Sequence, residues 1–220
     1  MRRSLPSLLL CVCLCLPRLA AARPVVVDRV LAVIETGDVG ARVSDVVTAS
    51  EVEVAARLAL VERRAPAGAS VNEGLRRAVL EQLVAEVLVY REAERLALAE
   101  VSPEDLRRGR QAFEERVGGP EALGRLMDSM HVSSIEIDQL VSRRVVVQRF
   151  VQTNLRAGIE VSDDDVQREY AAGGHPFAGR PLPEVRDALK AWLVETRFRA
   201  ALDRWVRALR GRGRVRVLES

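Results

Sequence analysis

The chain closes with Arg214-Val215-Arg216-Val217-Leu218, an alternation of charged and apolar residues with period two that reads as a β-strand. A strand cannot stand alone, because its backbone N–H and C=O groups need partners. No strand pattern lies near it in sequence. The remaining strand candidates sit at the opposite end, where Val25 to Ile34 is dense in β-branched residues and is punctuated by Gly37, Asp38 and Gly40. A shorter extended piece follows at Asp45-Val46-Val47-Thr48. The two ends of the chain are therefore expected to pair and close one domain. The fold class that follows is mainly α: a helical core with a small β-sheet formed by N- and C-terminal strands.

Between those ends the apolar spacing is helical throughout. Thr48 with Glu51, or Ser50 with Glu53, offers a capping box for a first helix that fades near Arg63-Arg64. Ser70 with Glu73 predicts the start of a second. From Leu75 to Leu96 one stripe carries Leu75, Val79, Leu83 and Val87 and the adjoining one Leu80, Val84 and Leu88. With most of its circumference apolar, this helix is expected at the centre of the core. Ser102-Pro103-Glu104-Asp105 caps a third helix that ends at Gly118-Gly119-Pro120. A short fourth covers Glu121 to Met130, and Ser133 with Glu136 opens a fifth that is expected to run to Gly158. Asp163-Asp164-Asp165 loads carboxylates onto the first turn of a sixth helix, where the helix dipole favours them; its end is expected near Tyr170. The stretch from Ala171 to Leu182, with three glycines and two prolines, predicts a flexible crossing. A last helix runs from Pro183 to Leu209, with Val185, Leu189, Trp192, Leu193, Leu202, Trp205, Val206 and Leu209 on its expected inner face.

The first residues are of a different kind. Arg2 and Arg3 precede an apolar stretch from Leu8 to Leu16, and Leu19-Ala20-Ala21-Ala22 supplies the small residues a signal peptidase reads. Residues 1–22 are thus expected to be a secretory signal, too short in its apolar part for a membrane anchor of about 20 residues. No stable membrane insertion is expected after its cleavage. Cys11, Cys13 and Cys15 all fall within it, and none follows the small-residue pair that lipoprotein processing favours. Cleavage after Ala22 leaves no thiol and hence no disulfide framework. The basic balance goes with it: 34 basic and 31 acidic residues become 31 and 31 once Arg2, Arg3 and Arg18 are removed. That balance gives no nucleic-acid signal.

Few residues are arranged for chemistry. His131 and His175, the only histidines, are separated by a long helix and are expected in exposed loops; neither has the spacing of a zinc site. The Asp163–Asp165 run lacks the alternating ligands and turn glycine of a calcium loop. Gly173-Gly174-His175 is followed by no lysine and preceded by no strand, as a phosphate loop would require. The serines follow helix-start spacing without a histidine partner, which gives nucleophilic catalysis no support. No cofactor, metal site or enzymatic activity is therefore expected. Trp192 and Trp205 share one helix and are expected to pack inside the molecule.

Several segments, taken in order, resemble a known family. Asp28-Arg29-Val30-Leu31-Ala32-Val33-Ile34 followed by Val47-Thr48-Ala49-Ser50-Glu51-Val52 is similar to the opening strand and helix start of the SurA-type periplasmic chaperones. Leu80-Glu81-Gln82-Leu83-Val84 with Glu92-Ala93-Glu94-Arg95-Leu96 resembles that family's long second helix. Val101 to Leu106 and Val161 to Val166 resemble its valine-serine-acid helix starts, and the last helix with its strand resembles the C-terminal closure. The likeness spans nearly the whole chain after residue 22. It implies a SurA-like N-terminal chaperone region over 23–170 and a C-terminal helix and strand over 183–220 completing the same core. The family often inserts one or two parvulin-type prolyl isomerase domains before the last helix. Here only residues 171–182 stand in that place, far short of the roughly hundred residues such a domain needs. The turn after Ile34 is longer than the family's tight hairpin, and Ala97 and His131 stand where the family places a glycine.

The resemblance implies an ATP-independent periplasmic chaperone that holds unfolded polypeptides such as outer-membrane protein precursors. Two other readings stand beside it: a protein related to the prolyl isomerases and an envelope assembly adaptor. Met127 and Met130, on the short fourth helix, are candidate peptide-binding residues, because unbranched polarizable side chains suit contact with many sequences. Core filling is the competing role for both.

Overall fold

The computed structural model describes residues 28–37, 42–66 and 69–218. Residues 1–22, read as a secretory signal, lie outside this range, as do Val25 to Val27 of the expected first strand. The described residues form seven α-helices and a three-stranded antiparallel sheet, the mainly α architecture expected.

The sheet is built as the chain ends foretold. Strand β1 (Val30–Thr36) lies in the middle, β2 (Val43–Thr48) on one side and β3 (Arg214–Val217) on the other. Ala32 pairs with Val47 and Val217, and Ile34 with Asp45 and Val215, so these positions share one face of the sheet. That face carries Ala32 and Ile34, both inaccessible to solvent, onto the helices. Val33 with Val46 and Arg216, and Glu35 with Ser44 and Arg214, form the opposite face. Pairing of β1 with β2 continues to Thr36 and Val43, so the long turn does not cut the hairpin short.

Helix α1 (Ala49–Glu62) begins where β2 stops. Of the two capping boxes open in the sequence, Thr48 with Glu51 forms: the Thr48 N–H donates to Glu51 Oε2 at 2.9 Å, and the Glu51 N–H donates to Thr48 Oγ1 at 3.4 Å. The Ser50 hydroxyl turns instead to Asp28. Helix α2 (Glu73–Arg95) starts from Asn72 rather than from Ser70, because the Asn72 amide oxygen accepts the Leu75 N–H at 2.8 Å. Helices α3 (Pro103–Val117) and α4 (Pro120–Met130) follow, joined through Gly118 and Gly119 at positive φ. Helix α5 (Ser134–Asn154) ends earlier than expected. Residues Arg156–Gly158 instead tighten into a 3₁₀ turn, closed by the Ile159 N–H donating to the Arg156 carbonyl at 3.1 Å. Helix α6 (Asp163–Ala172) extends two residues beyond Tyr170 to the left-handed Gly173. Helix α7 (Leu182–Arg212) is 31 residues long, about 46 Å from end to end. Ala97 and His131 both adopt positive φ, 57° and 55°, the backbone shape for which glycine is the easier residue.

Three apolar clusters hold these elements. The largest joins the sheet to α1, α2, α5 and the end of α7, and includes Ile34, Val52, Val84, Leu88, Phe150 and Leu209. Helix α2 supplies more buried residues to it than any other element, as its two apolar stripes predicted. A second cluster gathers Leu58, Phe113, Leu123, Ile137 and Val141 from α1, α3, α4 and α5. Gly109 permits the close approach of α3 to α5, since a Cβ there would lie 2.6 Å from Val145 Cγ2. The third, of Val161, Val166, Leu189 and Leu193, joins α6 to the start of α7.

Candidate functional site

Where β1 turns toward β2, the end of α2 and the end of α7 approach the same place and leave an open groove of about 630 Å³. Leu88 and Leu209 belong to the large cluster and form its floor, with Val43 of β2 beside them. Val43 is 43% exposed, a large apolar side chain left in solvent at the groove wall. Thr36, Gly37 and Gly213 bring backbone close to the opening.

The rim is charged, and its charges are committed to one another. Arg91 Nε donates to Asp45 Oδ2 at 2.6 Å, and its terminal nitrogens reach Asp45 and Glu94. The hydrogen bond that Arg91 donates to Asp45, more than any other influence, raises the affinity of the guanidinium for its proton. Arg95 Nε donates to Glu92 Oε2 at 2.8 Å, and Arg212 lies 3.5 Å from Glu92 Oε1. Those partners, Arg95 first, hold the Glu92 carboxyl below its usual range. A general acid or base works best with a pKa near the operating pH, and these shifts move Arg91 and Glu92 away from it. The groove is equipped to bind: an apolar floor offers burial, and paired charges around it keep the opening wet and oriented.

The residues singled out in the sequence are scattered relative to this groove. Met127 is half-buried and packs against the second cluster. Met130 is half-buried at the last turn of α4. Neither lines the groove. Trp192 packs on the third cluster, whereas Trp205 packs on the first and stacks on Phe150 with ring centres 5.5 Å apart. The two tryptophans thus serve different clusters.

His131 is exposed, as expected, but His175 is not: it is 6% exposed. Its Nδ1 accepts the Phe177 N–H at 3.1 Å, its Nε2 faces the Tyr170 carbonyl at 3.4 Å, and its ring stacks between Tyr170 and Phe177. The crossing from 173 to 181 is irregular but packed, since Phe177 joins the third cluster and the Tyr170 hydroxyl donates to the Arg180 carbonyl at 2.6 Å. A ring nitrogen can replace the regular hydrogen bonds a glycine-rich loop lacks, and this one pulls the loop inward. The aromatic residues flanking His175 two and five positions away were the signal available in the sequence.

The Asp163–Asp165 run behaves as a helix start. Ser162 and Asp165 form a capping box, Asp163 lies 2.9 Å from Arg186 and 3.7 Å from Lys190, and Asp165 lies 3.0 Å from Arg197. Its carboxylates therefore pin α6 to α7. Among the described residues no cluster of three or more histidine, cysteine or acidic side chains is arranged to hold a metal ion. No helix among them is long and apolar enough to cross a membrane.

The groove itself, built from the ends of β1, α2 and α7, was not singled out in the sequence, because its lining comes from four segments brought together only by pairing of the chain ends. Compared with known proteins, the sequence matches no family model, and no curated protein sequence matches it.

Proposed function

We propose that the protein is an ATP-independent chaperone of the periplasm that holds unfolded polypeptides, outer-membrane protein precursors among them. One observation carries the reading: an open groove whose floor of Leu88 and Leu209 continues the main core, flanked by the exposed Val43 and rimmed by four arginine and glutamate side chains of α2 together with Arg212. Such a surface offers apolar burial without a pocket shaped for one ligand, and its charged rim keeps the empty state soluble. The segmental resemblance to SurA-type chaperones supports the same reading, as does the secretory pattern of residues 1–22, which would deliver the chain across the inner membrane. The short crossing between α6 and α7 leaves no room for an isomerase domain, so holding rather than prolyl isomerisation is the activity proposed.

The test is aggregation suppression without ATP, using several unrelated unfolded clients. Suppression of all of them at near-stoichiometric chaperone supports the reading. Suppression of none, or of a single one as an adaptor would give, overturns it. Val43→Glu, which places a charge on the groove wall at an exposed position, is expected to weaken holding without lowering the melting temperature. A proline-isomerisation assay on the same preparation is expected to show no acceleration over solvent.

A further inference from the structure

Strand order β2-β1-β3 leaves β3 with one unpaired side among the described residues. The direction of its backbone groups follows from one hydrogen bond: the Leu218 N–H donates to the Leu31 carbonyl at 2.8 Å. In an antiparallel ladder alternate residues exchange bonds with the partner strand, so Arg214, Arg216 and Leu218 turn their backbone groups toward β1. Val215 and Val217 turn theirs outward, two N–H and two C=O groups in register for another strand. Val217 and Leu218 are each 44% exposed, so no helix among the described residues covers this edge.

Open edges invite pairing, and folded proteins usually blunt them. Here the strand is short and the blunting residues are all of one sign. Arg214 and Arg216 project on the solvent face, and no acidic residue occurs anywhere from Arg204 to Arg216. Arg216 lies 3.2 Å from Glu35, whereas Arg214 has no carboxylate partner among the described residues. A second copy adding through its own β3 would set arginines against arginines, and like charges across a strand pair are destabilising. A strand with carboxylates on that face meets the opposite sign.

We propose that the outer edge of β3 is a strand-addition site for an extended client segment in which acidic and apolar residues alternate. The client backbone pairs with Val215 and Val217. Its acidic side chains lie beside Arg214 and Arg216 on the solvent face, and its apolar side chains extend the row begun by Val215 and Val217 on the helix-packed face. This assignment rests on the client-holding reading and gives it a second surface, distinct from the groove, that selects by charge and by extended conformation.

The experiment uses the full chain with two labelled peptides, one alternating valine with glutamate and one alternating valine with lysine. Anisotropy is expected to show the glutamate peptide binding about tenfold more tightly. Hydrogen exchange on the unaltered chain is expected to show new protection at the Val215 and Val217 amides when the glutamate peptide is bound, with Arg214 and Arg216 unchanged. Val217→Pro removes an outward N–H without touching the bonds to β1 and is expected to weaken peptide binding about tenfold; Arg214→Glu is expected to shift preference toward the lysine peptide. Equal binding of the two peptides, or absence of new protection at Val215 and Val217, overturns the assignment. If the unaltered chain still suppresses aggregation of several clients in that case, only the edge assignment falls; if it suppresses none, the client-holding reading falls as well.

Discussion

The two halves of α7 are parts of one unbroken helix, yet they are held by different means. Near its end, Leu209 is buried in a cluster of 16 residues drawn from the sheet and four helices, with Trp205 stacked on Phe150 beside it. Near its start, Leu189 is equally buried, but in a cluster of only 4, all from α7 itself, α6 and the residue before α6's cap. Polar pins make up the difference there: Asp163 to Arg186 and Lys190, Asp165 to Arg197, Arg156 to Glu195, and the His175 contacts. Exposed ion pairs contribute little each, so the α6 end should open locally at lower free energy than the sheet end. A long helix therefore does not make its surroundings one cooperative unit. Packing does, and packing is uneven along it.

The largest loss of stability is expected at Phe150. Replacing it with Ala removes the stack on Trp205 from the main cluster and should cost about 3–5 kcal/mol, read as a lower midpoint of global denaturation. Leu189→Ala should cost about 2–5 kcal/mol on the same grounds, but the loss should appear as faster amide exchange in α6 and the crossing, with the sheet still protected. Loss of protection in the sheet to the same extent would show that the molecule opens as one unit. Gly213→Ala sharpens the other side: the added Cβ would lie 2.9 Å from the Glu35 carbonyl oxygen, a backbone atom that cannot swing away. A cost of about 1–3 kcal/mol is expected, with β3 amides exchanging faster and α6 amides unchanged. His175→Phe keeps the ring stack and leaves the Phe177 N–H without its acceptor, at about 1–3 kcal/mol confined to the crossing.

Acid offers the gentlest test. The hydrogen bond that the carboxylate accepts from Arg197, followed by those from Ser162, holds the Asp165 carboxyl well below its ordinary value of 3.8. A depressed folded-state pKa contributes stability that is present above the unfolded value and is lost as pH falls below it toward the folded one. The α6 end should therefore loosen as the solution is taken below about pH 4. A chain retaining only Trp192 should report the change in fluorescence, while one retaining only Trp205 should lag behind it. Simultaneous changes at both tryptophans would contradict the two-region description.

Much of this architecture is legible in the residues. Period-two alternation at Val215 and Val217 and β-branched density around Val30 to Ile34 announced the sheet, because strand side chains alternate whatever they pack against. Capping residues at Thr48, Ser102, Ser133 and Ser162 set the starts of four helices for equally local reasons. Where local rules offered near-equal choices, they were less decisive: Asn72 took the cap in place of Ser70, and α5 stopped at Asn154 before the tight turn that ends at Gly158. The groove was beyond local rules altogether. Val43, Arg91, Leu209 and Gly213 carry no shared pattern, and they meet only because β3 returns to β1.

The class of fold, the existence of the helices, several of their starts and the closure of the chain by its two ends follow from the residues alone, through periodicity and the need to satisfy backbone hydrogen bonds. The tertiary structure decided which buried positions share a cluster, that His175 turns inward, that Trp192 and Trp205 part company along α7, and that a charged rim surrounds an apolar floor. Those outcomes depend on distances between residues far apart in the chain, which side-chain periodicity along one element cannot encode.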